Sequence, residues 1–194
     1  MKNLLPLFAL LWAFSTPLAA QNTPPNITLE IAFNEMAFNG NLEAVKKFVS
    51  AGTPVDGRTE DQSTALMWAA FNGHTSVAAF LLDEGADVNL KDANGRTALL
   101  YSASGPYAET VGLLLRKGAD VNVQGKTEGF TALMMAAAEG HVDVVRVLLL
   151  NGASVNTIDR DGDTATRFAR ENGHTQVLEL LENPPLKDTN PGDD

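Results

Sequence analysis

Four copies of one short motif, spaced about 33 residues apart, constrain this chain more than any other feature of its sequence. Thr-Ala-Leu occurs three times and Thr-Ala-Thr once, 33, 34 and 33 residues apart, beginning at Thr64, Thr97, Thr131 and Thr164. A second motif, Gly-Ala-Asp-Val-Asn, begins at Gly85 and Gly118, and Gly-Ala-Ser-Val-Asn begins at Gly152. Such a fixed period indicates a repeat array, in which each unit buries its apolar face only against its neighbours.

The clearest unit, residues 129–156, predicts two short helices followed by a return loop. Thr131 is a suitable N-cap because its hydroxyl can accept hydrogen bonds from N–H groups of the first turn. We therefore expect a helix of small residues from Ala132 to Glu139, ended by Gly140 in a left-handed conformation. The apolar run from Val142 to Leu150 predicts the second helix.

The period and the two-helix pattern resemble the ankyrin repeat, whose first helix usually carries the motif T-P-L-H-x-A. Here Ala replaces the motif proline in all four copies, which leaves a strong helix former in place. The motif histidine is replaced by Met67, Leu100, Met134 and Arg167. The resemblance covers residues 29–182 and implies an all-α repeat solenoid of about five helix-turn-helix repeats, joined by short β-hairpin-like loops. The expected repeats are residues 31–60, 61–93, 94–127, 128–160 and 161–182.

The segments outside the array are predicted from their composition. Lys2, the apolar run from Leu4 to Phe14 and the pair Ala19-Ala20 are typical of a signal peptide over residues 1–20. A membrane anchor would need a longer apolar run. Residues 21–28 predict a linker and residues 183–194 a disordered tail. With the repeats, this layout resembles exported bacterial ankyrin-repeat proteins, so we expect a periplasmic or secreted protein that is not inserted in a membrane.

The charge and the cysteine content exclude several classes of function. Without Lys2 the chain has 13 basic and 24 acidic residues, a formal charge of −11. Such a chain is a poor candidate for binding nucleic acid or anionic membranes, which attract basic surfaces. It has no cysteine, so disulfides, zinc fingers and cysteine catalysis are excluded.

The sequence predicts no catalytic, cofactor or metal site. The three histidines, His74, His141 and His174, follow a glycine at equivalent positions. At about 10 Å or more apart they could not share a metal, and we expect structural roles in turns. Residues 159–163 have a carboxylate at every second position, as in a calcium-binding loop. The glycine falls two places too early, however, and Arg170 stands where the bidentate Glu belongs.

Partners of ankyrin arrays usually bind the concave face, which consists of the loop tips and the exposed side of the first helices. This resemblance implies a set of contact positions. Aromatic side chains at such positions are candidates because interfaces are enriched in them. The predicted partner-binding residues are Phe71, Arg96, Ser104, Glu128, Phe130, Glu139 and Asp163, with Phe38 extending the row in the first repeat.

Two irregularities predict that the binding site centres on the third and fourth repeats. Ser104-Gly105-Pro106-Tyr107 replaces the usual Gly-His at a helix end, and the loop 123–130 has one residue more than its counterparts. Departures from local rules tend to lie at functional sites. Drift in a surface loop, which tolerates insertions, is the alternative.

The predicted function is stoichiometric recognition of another protein by an exported module that is not an enzyme and is monomeric when alone. The concave face would be acidic, which suits a basic partner. The alternative is a periplasmic inhibitor or immunity protein that neutralises a toxin or a hydrolase. The sequence does not name the partner.

Overall fold

The computed structural model of the protein describes residues 25–185, and the side chains of residues 29–185. These residues form five pairs of antiparallel helices, each with an inner and an outer helix. The inner helices are α1 (Pro25–Phe38), α3 (Ala65–Phe71), α5 (Ala98–Ala103), α7 (Ala132–Glu139) and α9 (Ala165–Glu171). The outer helices are α2 (Leu42–Ser50), α4 (Thr75–Asp83), α6 (Ala108–Arg116), α8 (Val142–Leu150) and α10 (Thr175–Glu182).

The predicted all-α repeat solenoid is confirmed over the described residues, where no strand occurs. Each inner helix packs against its own outer helix and against the neighbouring inner helices. Small residues allow this close approach: Ala69, Ala70, Ala136 and Ala137 are fully buried. The loops are hairpin-like, since Asp92 N–H donates to the Arg96 carbonyl at 3.0 Å.

The first helix begins earlier than the sequence predicted. Helix α1 starts at Pro25, so residues 25–28, which the sequence assigned to a linker, are helical. Proline is well tolerated in the first turn of a helix, where its missing N–H has no partner to lose. Pro25 therefore lies inside the first helix of the array. The signal peptide, residues 21–24 of the linker, and the tail from residue 186 lie outside the described residues.

Threonine caps and left-handed glycines set the helix boundaries as predicted. The Thr131 hydroxyl accepts from Met134 N–H at 3.2 Å, and α7 ends at Gly140, whose φ is +76°. Thr64 and Thr164 cap α3 and α9 in the same way. Thr97 differs, because its buried hydroxyl makes no cap bond and has no hydrogen-bond partner among the described residues.

Each of the three histidines joins its repeat to the preceding one. The Nε2 atoms lie 2.9, 3.3 and 3.0 Å from carbonyl oxygens at the ends of the previous inner helices, in the pairs His74–Phe38, His141–Ser104 and His174–Ala138. In two of the repeats the ring lies against a left-handed glycine, so that a Cβ there would be 2.5 Å from His74 at Gly40 and 2.6 Å from His174 at Gly140.

In the third repeat Tyr107 takes the place of the histidine. A Cβ on Gly73 would lie 2.1 Å from its ring, and a Cβ on Gly105 would lie 2.3 Å from it. The rebuilt turn therefore accommodates a larger ring against the preceding repeat, which gives this irregularity a structural role.

Asparagine side chains in the return loops clamp each repeat to the next one. The Asn89 amide donates to the Gly118 carbonyl at 3.0 Å, and its oxygen accepts from Asp120 N–H at 2.9 Å. Asn122 makes the equivalent pair with Gly152 and Ser154, at 3.2 and 2.9 Å. These clamps satisfy backbone groups that the loops would otherwise leave without partners.

Candidate protein-binding surface

The concave face consists of the exposed side of the inner helices and the loops that precede them. Two rows of side chains run along it, one turn apart on each helix. The first row stands four residues after each cap threonine and consists of Trp68, Tyr101, Met135 and Phe168. The second row stands seven residues after each cap threonine and consists of Phe71, Ser104, Ala138 and Glu171. In the first repeat Glu35 and Phe38 stand 33 residues before Trp68 and Phe71.

Four aromatic rings form one contiguous group on the first three repeats, which we call the aromatic cluster: Phe38, Trp68, Phe71 and Tyr101. The rings of Phe38 and Phe71 stack with centroids 6.3 Å apart, and Trp68 meets Phe38 edge to face at 5.8 Å. Tyr101 lies 5.9 Å from Trp68 and 6.1 Å from Phe71. Tyr101 is buried, Trp68 and Phe71 are half-buried, and Phe38 is 37% exposed.

A charged network closes one end of the aromatic cluster. The Arg96 guanidinium lies over the Tyr101 ring, 4.6 Å from its centroid, and donates to the phenolic oxygen at 2.7 Å. Both Tyr101 OH and Arg96 Nε donate to Asp92 Oδ2, at 2.9 and 2.8 Å. Burial raises the pKa of Tyr101 far above its usual value, although the Arg96 charge acts to lower it. The phenol therefore stays protonated and remains a donor to Asp92.

In the neighbouring loop, before α3, Asp61 is an exposed carboxylate whose backbone carbonyl accepts from Ala93 N–H at 2.9 Å. Trp68 Nε1 donates to Ser63 Oγ at 3.0 Å, and Ser63 Oγ donates to Asp61 Oδ1 at 2.8 Å. The Thr59 hydroxyl donates to the same oxygen. Partial burial acts to raise the pKa of Asp61, but the hydrogen bonds from Thr59 and Ser63 outweigh it and hold the pKa below its usual value. Asp61 is therefore charged at neutral pH.

The same loop contains Gln62 with a φ of +65°, the one non-glycine residue with positive φ among the described residues. The equivalent positions in the other loops are Gly95, Gly129 and Gly162. A side chain is disfavoured in this conformation by about 1–2 kcal/mol. The Gln62 oxygen accepts from the Arg58 guanidinium at 3.3 Å, which ties the loop to its own repeat.

The structure brings two of the predicted contact residues together and separates the rest. Phe71 and Arg96 meet through Tyr101, which both contact. Phe130 lies apart from them, edge to face with Phe168 at 5.4 Å. The predicted set therefore divides into a group on the first three repeats and a group on the last two.

The remaining predicted residues are polar and lie at different ends of the inner helices. Ser104 ends α5, where its hydroxyl donates to the Tyr101 carbonyl at 2.7 Å. Glu139 is exposed at the end of α7, and Glu128 is exposed in the loop before that helix. Asp163 pairs with Arg167 on α9. No described contact joins these four side chains into one site.

The two predicted irregularities lie at opposite ends of their repeats. In the loop with the extra residue, Gly125 N–H donates to the Phe130 carbonyl at 2.9 Å, spanning five residues where Asp92 and Arg96 span four. The insertion is thus absorbed within one turn before α7. The rebuilt turn follows α5, so the two features do not form one patch.

Sequence reasoning missed Trp68 and Tyr101, the centre of the aromatic cluster. Both lie within inner helices, where an apolar residue at helical spacing predicts core packing. The signal that could have found them is the repeat register, because both stand four residues after a cap threonine and next to rows that contain Phe38 and Phe71.

Metal-ligating groups do not converge within residues 25–185: no cluster of three or more His, Asp or Glu side chains could hold a metal ion there. The acidic loop 159–163 is organised around its own backbone. Asp159 Oδ1 accepts from the N–H groups of Asp161 and Asp163 at 2.9 and 2.8 Å. None of the helices in this part of the chain has the length and apolar composition that a membrane crossing requires.

A cleft of about 320 Å³ lies on the other side of the array, between α8 and α10. Arg146 and Glu179 are among the side chains that line it. It does not include any of the residues predicted to contact a partner.

An array of paired helices with an exposed concave face defines a helical-solenoid repeat protein. The family model of ankyrin repeats (3 copies) matches residues 33–125 and 107–191. The chain belongs to the ankyrin-repeat family. A search of curated proteins finds no match to it. Ankyrin repeats are generic protein–protein interaction modules and are typically not enzymes, and they imply a protein partner.

Proposed function

We propose that this protein is an exported binding module that forms a stoichiometric complex with another protein through its concave face. The observation that carries the proposal is the aromatic cluster, a contiguous group of rings that remains partly exposed on that face. Large aromatic side chains with a polar surround dominate the energetics of protein interfaces. The formal charge of −10 favours a basic partner surface.

A photo-crosslinking experiment tests the binding face directly. A photoreactive amino acid placed in turn at Phe71, Ser104 and Glu139 should crosslink to the same partner in the native host. The matched positions Ser76, Glu109 and Asp143 are exposed on the outer helices and should not react with it. Equal crosslinking from both sets, or from the outer set alone, would contradict binding through the concave face.

The stoichiometry of the complex and the effect of binding on the partner's activity can be measured once the partner is identified. Light scattering should show a monomer for the protein alone and a complex of fixed composition with the partner. If the partner is a hydrolase or a toxin, its activity with and without an equimolar amount of this protein distinguishes simple binding from inhibition.

Export is proposed from the sequence, since the first twenty residues lie outside those that the structure describes. Lys2, the run from Leu4 to Phe14 and Ala19-Ala20 support it. Leu10→Arg places a charge in the apolar run and should leave an unprocessed chain in the cytoplasm. A conservative tail substitution, Lys187→Arg, should be processed like the wild type. Mass spectrometry of the wild-type protein finding an intact Met1 in the cytoplasm would refute export.

The proposal includes no catalytic role. Each histidine Nε2 is engaged with a carbonyl of the neighbouring repeat, which favours a structural duty over that of a general base. Hydrolytic turnover that survives repurification and disappears in a single-residue variant would contradict this.

A further inference from the structure

The geometry points to a more specific ligand: the aromatic cluster and the carboxylates beside it form a site for an arginine side chain. This inference rests on the proposed function, because the arginine is taken to belong to the protein that the concave face binds. It names the chemistry of the central contact. It also moves the expected centre of binding from the third and fourth repeats to the first three.

The floor of the site is a group of rings suited to a cation. The face of an aromatic ring attracts a positive charge, and tryptophan provides the strongest such attraction. The hydrogen bond of Trp68 uses the nitrogen at its ring edge, where it donates to Ser63. Among the described residues the single cation placed over a ring is Arg96, which covers Tyr101 and not Trp68.

The Arg96–Tyr101 contact shows the interaction within the chain itself. A guanidinium lies 4.6 Å from the centroid of one cluster ring while a carboxylate, Asp92, accepts its Nε–H at 2.8 Å. The neighbouring part of the cluster repeats two of these three elements. It has an aromatic ring, Trp68, and a nearby carboxylate, Asp61, joined through Ser63. No guanidinium of the described residues lies over Trp68. The one in the same loop, that of Arg58, donates to the Gln62 side chain and to the Lys91 carbonyl.

Exposed acidic groups flank the rings. The described hydrogen bonds to the Asp61 carboxylate all go to Oδ1, so Oδ2 can accept from a ligand. Glu35 is exposed on α1, three residues before Phe38 and therefore on the same side of the helix. These carboxylates lie on loops and helices that flank the rings from two repeats.

The loop that carries Asp61 keeps a disfavoured conformation at the next residue. Gln62 has positive φ where the other loops have glycine. Such a conformation persists only where the surroundings impose it, and it is found most often at functional sites. It supports the same location without depending on the rings.

Arginine fits the site better than lysine. Its planar guanidinium can stack on a ring while its N–H groups reach a carboxylate, whereas an ammonium is a compact and more strongly hydrated charge. Comparing the affinities for arginine and for lysine therefore distinguishes this proposal from simple attraction to an acidic surface.

The test uses the full chain with Trp12→Phe, so that Trp68 is the one remaining tryptophan of the two in the sequence. The probe is acetyl-Gly-Arg-Gly-amide, and the matched probes carry citrulline, which is neutral and of the same shape, or lysine. Titration is followed by Trp68 fluorescence and by the NMR signal of its indole N–H. The arginine peptide should give a saturable change, with affinity at least about fivefold above that of the citrulline peptide and about twofold above that of the lysine peptide.

Variants of the same purified chain locate the site. Asp61→Asn retains the oxygen that accepts from Ser63 and removes the charge, and it should weaken arginine-peptide binding at least about threefold. Asp161→Asn, at the equivalent loop position of the fifth repeat, should leave it unchanged. Equal responses to arginine and citrulline, equal responses to arginine and lysine, or equal losses in the two variants would overturn the inference.

Failure of this inference can be told apart from failure of the proposed function. If Phe71 crosslinks to a partner but the arginine peptide gives no saturable change, the arginine site is refuted and binding through the concave face stands. If the peptide binds at Trp68 but no concave position crosslinks to a protein, the proposed function fails and the arginine site remains.

Discussion

The first three repeats and the last two use the same backbone unit, but their concave faces carry different side chains. In the first three, the aromatic cluster covers the inner helices and its charged groups lie at the edges. In the last two, the equivalent face has the aromatic pair Phe130–Phe168 and, at the helix ends, the exposed carboxylates of Glu139 and Glu171. The buried positions differ little, as the alanines of α3 and α7 illustrate. The buried side of the repeat therefore specifies the fold, while the exposed side is free to specify a partner.

The largest expected effect compares two glycines at equivalent turns, Gly73 and Gly173. Both have positive φ, but only Gly73 has a ring, that of Tyr107, within van der Waals distance of an added Cβ. Gly173→Ala should lower the free energy of unfolding by about 1 kcal/mol from backbone strain. Gly73→Ala should lower it by about 3 kcal/mol, because the ring must also move. Urea unfolding measures both, and equal losses would show that the ring contact contributes nothing.

The second comparison concerns one arginine from each region. Arg96 pairs with Asp92, whose side chain is 1% exposed, whereas Arg167 is 55% exposed and pairs with acidic groups in contact with solvent. Arg96→Met should cost about 2 kcal/mol of unfolding free energy because it leaves a buried carboxylate without its cation. Arg167→Met should cost less than about 0.5 kcal/mol. Thermal unfolding in matched buffers would show this order, and a larger cost at Arg167 would contradict it.

The third comparison asks which region binds the partner, once that partner is known. Phe71→Ala should weaken binding by about 2 kcal/mol if the aromatic cluster is the centre of the interface. Phe130→Ala, which removes a ring from the last two repeats, should weaken it by less than about 1 kcal/mol. Calorimetric titration of each folded variant gives the affinities. The reverse order would favour a site on the third and fourth repeats, as the sequence irregularities predicted.

The smallest effect compares the cap threonines of the third and fourth repeats. Thr131→Val removes a hydroxyl that caps α7 and should cost about 1 kcal/mol. Thr97→Val removes a buried hydroxyl with no described partner, and it should cost nothing or stabilise slightly. Chemical unfolding of both variants, which keep the side-chain shape, measures the difference. A loss at position 97 as large as that at position 131 would mean that Thr97 has a partner in solution.

The sequence predicted helix boundaries best where local chemistry determines them. Thr131, Gly140 and the run to Leu150 were sufficient to place α7 and α8, because caps and left-handed glycines act on the residues beside them. Pro25 is less informative, since proline is compatible with a linker and with a first helical turn.

The candidate site was predicted less completely because its contacts cross repeat boundaries. Phe71 and Arg96 could be assigned to the concave face from their register. That both meet Tyr101 depends on how two inner helices approach each other, and this distance is set by small residues such as Ala69 and Ala70 on another side of the helix. The sequence pattern of one helix does not indicate how closely that helix approaches its neighbour.

The asparagine clamps have a consequence for the order in which the array comes apart. Asn89 ties the second repeat to the third and Asn122 ties the third to the fourth, each by a donor and an acceptor on one side chain. At the first boundary the equivalent side chain is Asp56, which only accepts, from Asp87 N–H. The terminal repeats should therefore unfold first under heat or mechanical load. The backbone amides of the three central repeats should be the last to exchange their hydrogens with water.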